Sequence, residues 1–173
     1  MTARRRLLSL AVSLSLPVLA GCGWEPLYAN SQTETGNADL RGIEVARISE
    51  RVGQQLETAL RNSFNPSGVQ STHTYRLVVT LTRALQDLGI QSQGLGTRGE
   101  VQLYAIYQLV EIATGKVLST GSIHTSDSFD IQANGYSTVV AQNDASVRDV
   151  EEIRRELVAR MTMFMQSRQQ AAT

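Results

Sequence analysis

The chain has 173 residues, 42% of them apolar, 18% charged and 5% aromatic, with 16 basic side chains against 16 acidic and a single cysteine. That length fits one domain with a short appendage. A formal charge of zero removes any global pull toward nucleic acid, and one cysteine excludes an internal disulfide framework or a multi-cysteine metal site.

The charge is unevenly placed. Arg4, Arg5 and Arg6 open the chain, an uncharged run from Leu7 to Leu19 follows, and every acidic residue lies after Trp24. A basic stretch, a short apolar stretch and then Leu19-Ala20-Gly21-Cys22 make a secretory leader ending in a lipobox. The apolar run is too short for the roughly 20 residues of a spanning helix. Residues 1–21 are therefore expected to be a lipoprotein signal peptide, with Cys22 as the lipidated first residue of the mature chain. The leader takes three cations with it and no acids, which leaves a net acidic mature protein. Several acyl chains on Cys22 would give stable anchoring where a single one is marginal. Gly23 in place of an aspartate points, by analogy with enterobacterial sorting, to the outer membrane, with the folded part facing the periplasm.

Residues 22–39 read as a linker, interrupted by Trp24, Pro26, Leu27 and Tyr28, which would lie either on the domain or at the bilayer interface. Leu40 to Ile48 predicts a short strand. Ser49 is the expected N-cap of a helix that places Val52, Leu56, Ala59, Leu60 and Phe64 on one face and stops at Asn65-Pro66-Ser67-Gly68. Tyr75, Leu77, Val79 and Leu81 alternate with mostly polar residues, a half-buried strand. Gly89 to Gly99, with four glycines, predicts a flexible loop. Val101, Leu103, Ala105, Tyr107 and Leu109 make a second alternating strand, Thr114-Gly115-Lys116 a tight turn, and Val117 to Phe129 the returning strand. Ser137 is the expected cap of a last helix of about seven turns. Val140, Val147, Val150, Ile153, Leu157, Met161 and Phe164 form its apolar face, and Glu151–Arg155 and Glu156–Arg160 pair on the other. The expected fold class is α+β: a two-layer sandwich, with a mainly antiparallel four-stranded sheet carrying two helices on one face, in the order strand-helix-strand-strand-strand-helix. The domain spans residues 40–168, followed by a disordered tail over 169–173.

No catalytic chemistry stands out. His73 and His124 lack metal-ligand spacing, no Gly-x-Ser-x-Gly elbow occurs, and Gly94-Leu95-Gly96 with Gly99 is followed by strand, without the Gly-Lys-Ser/Thr of a phosphate loop. Asp127 and Asp130 are read as solvated carboxylates. No enzyme, cofactor or metal is expected. The basic residues offer one binding possibility: Arg98, Lys116 and Arg83 as an anion-binding tip of the sheet, weighed against ordinary solvated charge.

Three stretches carry a family resemblance. Gly21-Cys22-Gly23-Trp24-Glu25-Pro26-Leu27-Tyr28, then Gly96-Thr97-Arg98 with Tyr107 to Val110 and Thr114 to Gly121, and finally Ser137 to Phe164 resemble, in order and spacing, the LptE family of its alphaproteobacterial type. The resemblance implies a non-enzymatic outer-membrane lipoprotein that partners and plugs the β-barrel LptD, assists lipopolysaccharide assembly and binds lipopolysaccharide. Short polar strand residues (Thr80, Thr82, Ser119, Thr120, Ser122, Thr125, Ser126, Ser128) fit an element facing a polar barrel lumen. Where enterobacterial members carry a basic residue ahead of the last helix, this sequence has Gln142 and Asn143, so Arg98 and Lys116 stand as the candidate lipid-phosphate ligands. The competing expectations are an accessory lipoprotein of another lipid-transport or secretion machine, and a lipid-tethered periplasmic enzyme.

Overall fold

A computed structural model describes residues 40–69, 71–90 and 96–172. The leader, Cys22 and the linker readings lie outside the described residues, as do Gln70, residues 91–95 and Thr173. Six elements follow in the order β1 (Ile43–Val45), α1 (Arg51–Phe64), β2 (Tyr75–Ile90), β3 (Gly96–Glu111), β4 (Val117–Asp130) and α2 (Gly135–Ala172). The strands form one sheet in the order β1-β2-β3-β4. β1 runs parallel to β2, while β2–β3 and β3–β4 are antiparallel. This is the expected α+β class, with both helices against one sheet face.

Strand parity decides which residues meet the helices. Leu77, Val79, Val101, Leu103, Ala105, Tyr107, Leu109 and Ile123 are buried, and they pack with Leu56, Leu60 and Phe64 of α1 and Ile153, Leu157 and Met161 of α2 in a single core. At about 1.5–3 kcal/mol per buried aliphatic or aromatic side chain, this layer is the main stabilising element. The β3–β4 turn has the required residue: Gly115 sits at φ 69°, which a side chain would disfavour.

Several expectations are corrected. The glycine-rich stretch is not a loop from 89 to 99: β2 continues to Ile90 and β3 begins at Gly96, with register shifts around Gly89 absorbing the irregularity. Gly99 is strand because its neighbour needs the space. A Cβ there would lie 2.4 Å from Phe129 Cζ, so the ring on β4 occupies the position of a side chain. Ser49 does not cap α1; Glu50 holds the N-cap position without a side-chain bond. Ser137 lies inside α2, and Asn134 Oδ1 instead accepts from the Tyr136 amide (3.0 Å). α2 has 38 residues and continues through Ala172, so residues 169–172, expected in a tail, are helical. Val140 and Val147 are exposed, whereas Ala145, Ser146 and Asp149 turn inward at that level. Glu151 pairs with Arg154 rather than Arg155, because Arg154 lies between Glu151 and Ser63 of α1, donating to Ser63 Oγ at 3.0 Å. Glu156–Arg160 forms as expected, at 2.8 Å.

Candidate functional site

The sheet face turned away from the helices is built from the other half of each alternation. Its rows run Val78–Gln108–Thr120, Thr80–Ile106–Ser122, Thr82–Tyr104–His124 and Ala84–Gln102–Ser126. None of these twelve residues is charged, and only Gln102 is even half-buried. Ile106 is 57% and Tyr104 44% exposed, so the centre of the face is an apolar and aromatic island set among Thr, Ser and Gln.

Side-chain contacts order this surface. The Tyr104 and His124 rings stack with centroids 4.4 Å apart. Tyr104 Oη donates to Gln102 Oε1 at 2.9 Å. Gln102 Nε2 donates to Gln86 Oε1 at 3.3 Å and to Glu100 Oε2 at 3.1 Å. Stacking and amide hydrogen bonds within and across strands hold these side chains against one another. Charge enters at the margin, where Arg76 meets Glu44 of β1 at 3.0 Å. The sequence reading identified Thr80, Thr82, Ser122 and Ser126 as polar strand residues but not Tyr104, Ile106 and His124, whose shared face follows only from register. Thr125 and Ser119 have the opposite parity and face the helices; Thr125 is buried.

The three candidate cations are not brought together. Arg98 pairs in register with Asp130 at the β2–β3 end, whereas Lys116 lies in the β3–β4 turn at the other end of the sheet. The intervening length of β3 separates them by about 40 Å at strand rise. Arg83 is in register with Leu103 and has helix-side parity; Arg98 has the parity of Tyr104 on the open face. All three are exposed, and no single phosphate can be held by them.

Among the described residues, no group of three or more His, Cys, Asp or Glu gathers to hold a metal ion. Asp127 pairs with Arg148 rather than with Asp130. The most perturbed carboxyl is Asp149, between α2 and β4. Burial pushes its pKa up to about 6; the nearby Asp127 and Glu152 push it in the same direction, and the Thr125 hydroxyl and Arg148 offset part of this. No described helix is long and apolar enough to cross a membrane.

These features define an α+β layer with one sheet face covered by helices and the other bare among the described residues. Among solved structures, the chain is similar to a Caulobacter crescentus CB15 protein described as a lipoprotein, with a TM-score of 0.62 and 19% identity over 78% of this chain and 97% of that one. A Xanthomonas campestris protein of the DUF330 family superposes with a TM-score of 0.56 at 15% identity, covering 74% of this chain and 87% of that one. Rare lipoprotein B from Shewanella oneidensis aligns over 75% of this chain and 97% of its own at 12% identity, with a TM-score of 0.47, too loose to carry weight. No protein-family model and no curated protein matches the chain. At these identities the likeness is one of fold: the chain shares its architecture with a solved bacterial lipoprotein.

Proposed function

We propose that this chain is an outer-membrane lipoprotein of the LptE kind, anchored through acylated Cys22, that seats against the β-barrel LptD and assists lipopolysaccharide assembly as a non-enzymatic subunit. The observation that carries the reading is the naked sheet face. It is broad and hydrogen-bonding, uncharged across its four central rows with Tyr104 and Ile106 at the middle, and it lies on a fold shared with a lipoprotein. A barrel lumen is polar, so an element seated in it needs a polar face with enough apolar contact to anchor it. The lipobox at Leu19-Ala20-Gly21-Cys22 supplies the membrane address. With Arg98, Lys116 and Arg83 dispersed, the reading rests on the barrel contact and not on a phosphate clamp.

The test is a mild-detergent pull-down of the tagged protein from its own outer membrane. Recovery of one large β-barrel protein in near-equal amount supports the reading. Recovery alone, or with a secretion pore, overturns the LptD partnership. Cys22→Ala should move the protein out of the membrane fraction; full retention would contradict the anchor.

A further inference from the structure

β4 ends at Asp130 and α2 starts at Gly135, with Asn134 as the last residue of the connection. Asn134-Gly135 is the one Asn-Gly pair in the sequence; every other asparagine precedes Ser, Ala, Pro or Asp. Both residues of the pair are exposed to water. The connection is tied down around them. The Asn134 carbonyl accepts from the Thr138 amide at 3.3 Å. The Thr138 hydroxyl accepts from the Gln132 amide at 2.9 Å and donates to the Gln132 carbonyl at 3.2 Å. Asn134 Oδ1 accepts from the Tyr136 amide at 3.0 Å. The Gly135 amide donates to nothing among the described residues, as a first-turn N–H has no partner inside its helix. No other part of the chain comes within 4 Å of where a Gly135 Cβ would lie.

We propose that Asn134 is a site of spontaneous deamidation, at which the Gly135 nitrogen attacks Asn134 Cγ and water completes conversion to aspartate and isoaspartate. A solvent base takes the Gly135 amide proton, the N–Cγ bond forms, and Asn134 Oδ1 becomes an oxyanion. Collapse of that oxyanion breaks the Cγ–Nδ2 bond, and the side-chain nitrogen takes a proton from solvent and leaves as ammonia. The product is a five-membered succinimide, which water opens at either ring carbonyl. The balance is one water in and one ammonia out. Three features of the fold serve these steps. The nucleophile is free of hydrogen bonds and carries no Cβ beside it. The Tyr136 N–H already sits on the atom that becomes negative, as a fixed oxyanion donor. The start of a 38-residue helix adds partial positive charge beside both the deprotonated nitrogen and the oxyanion. The two products part company at α2. Aspartate keeps the cap acceptor and adds a full negative charge at the helix N-terminus, which tightens the first turn. Isoaspartate routes the main chain through the side-chain carbons, so the Tyr136 and Thr138 amides lose their common anchor.

The experiment ages the full chain, purified in mild detergent, in mildly alkaline buffer and maps its peptides by mass. Isoaspartate is read separately, by methyl transfer from an isoaspartyl methyltransferase. Asn134 should convert ahead of every other asparagine, each event adding about 1 Da and one negative charge. It should convert at least as fast in the folded chain as in the same chain unfolded in guanidinium chloride. Gly135→Ala should slow the conversion roughly tenfold, because a Cβ crowds the attacking nitrogen. Asn134→Asp, which fixes one product, should unfold at a higher temperature than wild type. An Asn134 that survives in the folded chain while the unfolded chain converts it means that the cap protects the side chain, and overturns the proposal. So does another asparagine converting first, or a Gly135→Ala rate equal to that of wild type. An Asn134→Asp midpoint no higher than wild type overturns the effect assigned to α2. Conversion is read on the chain itself, so none of these outcomes depends on which barrel the pull-down recovers.

Discussion

Asp149 is 1% exposed, and its Oδ2 and the Thr125 hydroxyl face each other without a hydrogen bond of ordinary geometry, so the hydroxyl offsets only part of the cost of burial. A carboxyl in such a place favours its neutral form. Its folded pKa, about 6, lies above the unfolded value near 4. Between those values the native state keeps a proton that the unfolded state releases. The contribution is therefore full below pH 4, is lost as pH rises toward 6, and is flat above that. The loss amounts to roughly 3 kcal/mol at most. Asp149→Asn should remove this dependence and be more stable than wild type at pH 7, the advantage shrinking toward pH 4; denaturant melts across that range check it. A second residue carries strain in its backbone. Glu50 takes φ 66° and ψ 163°, a region that glycine enters far more easily. Glu50→Gly should raise stability by about 1 kcal/mol, read as a higher thermal midpoint.

At the scale of elements, α2 is two helices in one. From Val150 onward Val150, Ile153, Leu157, Met161 and Met165 bury a continuous face, while in the first turns Tyr136, Val139, Val140 and Val147 stand exposed. Leu157→Ala should cost about 2–5 kcal/mol by leaving a cavity under both the sheet and α1. Val147→Ala should change stability by no more than about 0.5 kcal/mol. Equal effects at the two sites would mean that the helix packs along its whole length. The sequence periodicity could not show this difference, because spacing reveals a face but not what lies opposite it. Period-two alternation, by contrast, read β3 closely, since every odd residue from Val101 to Leu109 meets the same helix layer. The ends of β2 and β3 were illegible for a tertiary reason. Glycines normally mark a loop, and only Phe129, next to the last residue of β4, explains a glycine inside the ladder at position 99. The Gly53 position is similar: a Cβ would lie 2.6 Å from Ile48 Cγ2, so this helical glycine marks the close approach of the entering chain.

For the whole molecule, the sheet divides two tasks between its faces. The helix side holds the fold together, and the side carrying Tyr104, Ile106 and His124 is free of that duty, so its side chains answer to something else. The separation of Arg98, Arg83 and Lys116 follows from the same geometry. The three are expected at one tip, but parity puts Arg83 and Arg98 on different faces, and the length of β3 from Arg98 to Glu111 puts Lys116 at the other end. A binding role for the open face makes a clear demand on mutants. Ile106→Lys replaces an exposed apolar side chain by an exposed charge, so the fold should lose no more than about 0.5 kcal/mol. The same change puts an unpaired charge at the centre of the proposed contact, where truncation or charge is most costly. Co-purification of the barrel should therefore fall sharply while the melting temperature and membrane anchoring stay constant. Thr58→Lys, at an exposed position on α1, should leave all three unchanged. If the two variants recover the barrel equally well, the naked face is not the seat, and the partner must be met by the helix layer or by the chain ahead of Leu40.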